Sequence, residues 1–108
     1  MKPQSAKAKG RNLQKWVVSK LREKFGWHED ECTSRSMGAG GEDILLSPGA
    51  RRAFPFSVEC KNTERVNVYD CYEQAAANAG EYNAIVVYKR NRRQPLVIID
   101  FDDFMELI

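Results

Sequence analysis

The sequence predicts an α/β domain of the α+β type, a mixed central sheet of about five strands flanked by helices in the order αβββαββ. Three observations predict it. Leu13, Trp16, Val17, Leu21 and Phe25 recur at three- and four-residue spacing, the signature of one apolar helical face. Short apolar runs at Ile44-Leu46, Phe54-Val58, Ala84-Tyr88 and Leu96-Ile99 have strand length and end in polar or turn residues. Between the third and fourth strands, Asn67 precedes a helical segment with Asp70 in its first turn and Gly80 as its stop.

Taken in order, residues 1 to 9 read as a flexible basic arm and residues 10 to 108 as a single domain. The first helix follows Gly10 and ends at Gly26, with Trp16 as an anchor of the core rather than a platform for bases. Trp27 to Thr33 is a candidate strand, and Ser34 to Gly41 a loop that faces nucleic acid or acts as a lid, or else is a plain connector. Its glycines form neither a dinucleotide fingerprint nor a phosphate loop, because no Gly-Lys-Ser/Thr follows and a strand comes next. Ser47 to Arg52 reads as a hairpin-like connection into the third strand. The second helix spans Val68 to Ala79, and the basic segment Lys89 to Arg93 joins a strand at Asn83 to Tyr88 to one at Leu96 to Phe101. Phe101 to Ile108 reads as a short acidic helix whose apolar residues cap the core or supply part of a dimer surface.

Composition bounds the function. At 108 residues the chain is near the common size of one domain. Its apolar runs fall far short of the roughly 20 residues that span a bilayer, and the N-terminus lacks a hydrophobic signal region, so a soluble, cytoplasmic protein without a membrane partner is expected. Cys32, Cys60 and Cys71 are odd in number and scattered, with one histidine, His28, which argues against a disulfide framework and a zinc site. The net charge of +2 hides an asymmetry: residues 1 to 24 carry a balance of +7 and the remainder −5. Lys7, Lys9, Arg11 and Lys15, with Arg35, Arg51, Arg52 and the Lys89 to Arg93 cluster, form the positive surface that a phosphate backbone requires.

The acidic part contains the chemistry. Fifteen residues separate Asp43, which follows Glu42, from Glu59-Cys60-Lys61. Residues two apart on a strand share a face, so Glu59 and Lys61 stand side by side, while Cys60 points to the core. If the strand begun by Asp43 is a neighbour, the two carboxylates converge. Asp43, Glu59 and the Cys60 backbone carbonyl then suffice for a Mg²⁺ ion that keeps several waters. Lys61 beside it is placed to orient the attacking water and offset transition-state charge. An isolated Glu-x-Lys is ordinarily a solvated ion pair. The apolar runs beside both acids weigh against that, because uncompensated carboxylates are costly there.

These residues resemble the PD-(D/E)xK nuclease superfamily, with Glu42-Asp43 in place of the Pro-Asp element and Glu59-Cys60-Lys61 as (D/E)xK. Within it the chain is most similar to small archaeal-type and phage Holliday junction resolvases, through Lys9-Gly10-Arg11, the Ser/Gly loop and Gln74 in the helix after the lysine. The resemblance implies a restriction-endonuclease-like core and a homodimer that cuts four-way DNA junctions symmetrically with Mg²⁺ or Mn²⁺. It assigns catalytic roles to Asp43, Glu59, Lys61 and Gln74, and metal binding to Asp43, Glu59 and Cys60. Such relatives usually carry a metal-associated glutamate in the first helix, where this chain has Gln14.

Three functions are therefore carried forward: a junction-resolving endonuclease; a nicking, repair or restriction-type endonuclease of the same superfamily; and a non-catalytic DNA-binding protein that retains the fold, for which Gln14 is the strongest sequence feature.

Overall fold

The structure, a computed structural model, describes residues 5–36 and 40–108. In chain order the elements are α1 (Ala6–Phe25), β1 (Cys32–Ser34), β2 (Ile44–Leu46), α2 (Pro48–Ala53), β3 (Phe56–Asn62), α3 (Val68–Asn78), β4 (Asn83–Lys89), β5 (Leu96–Ile99) and α4 (Phe101–Glu106). The architecture is α+β, and the strands form two small sheets instead of the expected single mixed sheet of five. β1 and β2 are an antiparallel pair, while β3, β4 and β5 form a mixed sheet with β3 parallel to β4 and β5 antiparallel to it. The sheets stay separate because α2 lifts the chain away after β2, leaving the Asp43 N–H to Val58 carbonyl bond, at 2.9 Å, as the backbone tie between them.

That helix is the second departure. Ser47-Pro48 does not start a turn: the Ser47 hydroxyl accepts from the Ala50 N–H at 3.1 Å and Pro48 occupies the first helical turn. Proline costs nothing there, since its missing N–H would be unpaired anyway. The third departure is at the N-terminus. Ser5 caps α1 by accepting from Ala8 N–H, so Lys7 and Lys9 are helical and the expected arm is shortened; residues 1–4 lie outside the described residues. So do residues 37–39, the middle of the expected lid loop.

The three-stranded sheet has a helix on each face, and strand alternation decides which residue meets which helix. Val58 of β3 with Ile85 and Val87 of β4 pack against Leu13, Val17 and Val18 of α1. Ala84, Val86 and Tyr88 of β4 pack against Cys71, Ala75 and Ala79 of α3. β4 is thus buried on both sides and reads as a continuous apolar run. Alanines at 75 and 79 let α3 approach closely, and the Tyr72 hydroxyl donates to the Ala84 carbonyl at 3.1 Å. Asn67 caps α3 as expected, accepting from Asp70 N–H.

Trp16 is not a core anchor: it is 42% exposed, because β5 is too short to cover it and Leu96 and Val97 are themselves exposed. α4 forms as expected with Asp100 as its cap, yet Phe101, Phe104, Met105, Leu107 and Ile108 all remain exposed and do not close the core. The three cysteines are free thiols, and Cys60 packs against the α1-side core. Among the described residues no helix is long and apolar enough to cross a membrane.

Burial separates two apolar truncations. Ile44→Ala, at a site 1% exposed, is expected to lower the free energy of unfolding by about 3 kcal/mol. Leu96→Ala, at 64% exposed, should lower it by less than about 1 kcal/mol, both read from urea denaturation midpoints.

Candidate active site

β3 pairs with β4 along one edge, and Asp43 occupies the other. Its N–H donates to the Val58 carbonyl at 2.9 Å and its Oδ2 accepts the Cys60 N–H at 2.7 Å. The N–H and C=O of one strand residue leave the same edge. The Cys60 carbonyl therefore also projects on the Asp43 side. Glu59, between these two residues, turns its side chain toward α3, where the Asn78 side chain hydrogen-bonds to it. Gln14, 6% exposed on α1, hydrogen-bonds the Asp43 carboxylate from the other side. Lys61 is exposed, and its charge acts on Glu59 and on the thiol of Cys71.

The two carboxylates share one electrostatic environment. Burial raises Asp43 above the usual carboxylate range, opposed by the Cys60 N–H, by Arg35 and by the Gln14 hydrogen bond. Glu59 is pushed up to about 7, first by burial and then by the negative charge of Asp43, with Asn78 and Lys61 opposing. Burial and the two nearby carboxylates raise the Cys60 thiol as well, so it is a neutral neighbour and not a nucleophile.

The arginines at the mouth divide into two kinds. Arg51 pairs with Glu42, donates to the Phe56 carbonyl and lies 4.5 Å from the Tyr82 ring centroid. Arg35 donates from Nε to the Glu42 carbonyl at 2.6 Å and from its N–H to the Asp43 carbonyl at 2.8 Å. Both expected nucleic-acid contacts are thus engaged in holding the strand that carries Asp43. Arg11, Lys15 and Arg52 are exposed, as is Lys7 at the start of α1, and Lys9 is half-buried. A cleft of about 470 Å³ is bounded by Arg35, Glu42, Asn78, Glu81 and Tyr82; Asp43 and Glu59 do not line it and meet it only through Arg35, Glu42 and Asn78.

The structure therefore brings Asp43, Glu59 and the Cys60 backbone together, with Lys61 adjacent. Gln74 is exposed on α3, and it is Asn78, one turn later, that reaches Glu59. The missed signal was the helical phase: Cys71, Ala75 and Ala79 form the buried stripe, and Asn78 flanks it near the helix end. Among the described residues there is no group of three His, Cys, Asp or Glu side chains able to hold a metal. Two carboxylates and a carbonyl are nonetheless an all-oxygen set that fits a hard divalent ion retaining waters, and their mutual repulsion is what such an ion relieves. No family model, no curated protein and no solved structure matches the chain.

The raised acids set a pH dependence. A carboxyl whose folded pKa lies above its unfolded value contributes stability that is complete below the unfolded value and lost as pH rises through the folded one. For Glu59 that window runs from 4.5 to about 7. In chelator, the wild-type melting temperature should fall across this window; Glu59→Gln should flatten the fall and melt higher at pH 8. A parallel decline in the variant would show that Glu59 is not its source.

Proposed function

We propose that this chain is a metal-dependent, structure-selective DNA endonuclease that acts as a homodimer on four-way junctions. The observation that carries the reading is the pairing of half-buried Asp43 and Glu59 in one electrostatic environment, with Lys61 exposed beside Glu59. Half-buried acids whose pKa values are raised by burial and by each other are candidates for binding a cation or doing chemistry. A Mg²⁺ or Mn²⁺ ion held by Asp43, Glu59 and the Cys60 carbonyl would polarise the scissile phosphate and acidify a bound water.

The chain's own residues would do the rest. The Cys60 N–H and Gln14 fix the Asp43 carboxylate, and Asn78 fixes Glu59. Lys61 is positioned to orient the water and to neutralise charge developing on the phosphate. Gln74, on the exposed side of α3, would meet a neighbouring phosphate. Lys7, Arg11 and Lys15 on α1 and Arg52 on α2 supply the backbone contacts, worth more to affinity than to sequence choice. With few base-reading elements, shape is the natural basis of selection, which separates a junction enzyme from a restriction-type or repair enzyme of the same chemistry.

One observation favours a second reading, a DNA-binding protein without cleavage: the buried side chain nearest Asp43 on α1 is the neutral Gln14 instead of a third acid. The two readings separate on an end-labelled four-way junction and a linear duplex of the same sequence, each with Mg²⁺ and with chelator. Paired symmetrical nicks in the junction alone are expected, lost in chelator and reduced at least about 100-fold by Asp43→Asn or Lys61→Ala. Binding without product in Mg²⁺ or Mn²⁺ would establish the second reading, and equal cutting of both DNAs a general nuclease. Gln14→Glu should lower the melting temperature in chelator, by adding a third carboxylate, and regain it in Mn²⁺; without that recovery the acids do not form a cation site.

A further inference from the structure

Three residues beyond Glu59, β3 ends at Asn62, on the face that carries α1. There the first half of α1 and the turn joining β4 to β5 enclose a cleft of about 480 Å³ with a lining unlike that of the acidic site. Four cations reach it from different segments: Lys9 from α1, Lys89 from the end of β4, and Arg92 and Arg93 from the turn. No acidic side chain lines it. Among the described residues none of the four cations forms a salt bridge, although the Lys89 ammonium donates to the Arg90 carbonyl at 3.0 Å. The nearby carboxylate of Glu64 is engaged with the Asn91 N–H, at 2.9 Å, and serves to hold the turn.

The same cleft has an aromatic wall and amide side chains. Trp16, which the helical pattern assigned to the core, is 42% exposed and lines it, with the Lys20 ammonium 5.6 Å from the ring centroid, so a stacked base would use the other face or displace Lys20. The Asn62 amide also lines it, with Oδ1 buried and without a hydrogen-bond partner. Arg92 stands at φ +61, in the left-handed region that favours glycine or asparagine. A long cationic side chain is thus carried where a glycine would strain the backbone less.

We infer that this cleft is a second polynucleotide site, in which successive phosphodiesters lie against Lys9, Lys89, Arg92 and Arg93 and a base stacks on Trp16. The inference rests on the proposed function for nucleic acid as the ligand, and not on its cleavage chemistry. Four cations exceed the charge of one phosphodiester and match several in succession. An exposed indole beside them supplies the sequence-tolerant stacking that single-stranded segments use. An acidic peptide would draw on the cations alone and leave the indole without a role. An unpaired strand, such as one leaving a branch point, meets both the cations and the indole.

The test is binding in chelator, where no cutting occurs, of a fluorescein-labelled twelve-nucleotide thymidine strand, followed by anisotropy at several salt concentrations. Trp27→Phe leaves Trp16 as the one tryptophan, since the chain has two. Its emission should be quenched on saturation with the unlabelled strand. Arg92→Gly with Arg93→Ala should weaken binding at least tenfold and reduce the logarithmic salt slope by about 1.4, two contacts at about 0.7 each for a single strand. Trp16→Ala should cost about tenfold and Trp16→Phe much less. Because Arg92→Gly removes a positive-φ side chain, its melting temperature should stay level or rise, which separates lost binding from lost folding.

Unchanged affinity and salt slope in the double variant, or no quenching at saturation, would overturn the site. Adenosine monophosphate quenching Trp16 at the same concentration as the strand would also overturn it, in favour of a small-nucleotide pocket. The outcomes stay distinct from those of the cleavage assay. An uncut junction with binding that collapses in the double variant removes the nuclease and keeps the cleft, and a cut junction with normal binding in that variant does the reverse.

Discussion

The arrangement of the site depends on how Asp43 completes the open edge of β3. A strand that has no partner on one side exposes N–H and C=O groups that must be satisfied. Here one residue satisfies two of them, its amide meeting the Val58 carbonyl and its carboxylate the Cys60 amide. That double contact ties the β1–β2 pair to the three-stranded sheet. It also sets a carboxylate beside Glu59, since the residue between Val58 and Cys60 must turn to the α3 face. The acidic pair is therefore a consequence of strand pairing, and its geometry is as rigid as the sheet. Arg35 and Arg51 extend the same logic: by binding the Glu42 carbonyl and carboxylate they fix the approach to Asp43.

The strands of the three-stranded sheet and the faces of β3 were legible because the signals were local. Alternation in β3 and β4 assigned Glu59 and Lys61 to one face and Cys60 to the other, and an Asn cap marked the start of α3. What failed depended on contacts distant in sequence. Ser47-Pro48 is compatible with both a turn and a helix start, and Ala50, 1% exposed, settles it by packing inward. Trp16 lies on the apolar stripe, but the stripe is wider than the sheet beneath it, so its margin stays in solvent. Gln74 and Asn78 are one turn apart with similar neighbours, and only the docking of α3 on β4 decides which amide meets Glu59. The single five-stranded sheet failed because strand counting does not reveal that β2 turns away after three residues.

Charge is sorted by place as well as by sequence. Asp43 and Glu59 sit half-buried at the Asp43 edge, Arg35 and Arg51 hold Glu42 beside them, and exposed cations lie elsewhere, Lys7, Arg11 and Lys15 on α1, Arg52 on α2 and Arg92 and Arg93 on the β4–β5 turn. Opposite charges kept apart in this way give the surface a positive stretch and a separate negative patch, the distribution that the proposed function would use for a polyanion and a cation. Had the cations folded back onto the acids, both properties would vanish into ordinary salt bridges. The Lys61 charge does act on Glu59, but from an exposed position where water weakens it, so Glu59 still sits at about 7.

Gln14 shows how the fold tolerates this repulsion. The side chain is 6% exposed and hydrogen-bonds the Asp43 carboxylate in a way that favours its ionised form, so the amide donates. A glutamate there would bring a third negative charge into a site whose two acids are already raised by burial and by each other. Three anions bind a divalent ion more strongly, but between binding events they would stand with no counter-charge in a part-buried site, at a high cost to folding. The neutral donor satisfies Asp43 whether or not a cation is present. On the proposed reading it would exchange cation affinity for an acidic pair that persists without an ion, and the pair's charge is then met by the Cys60 N–H, Gln14, Asn78, Arg35 and Lys61.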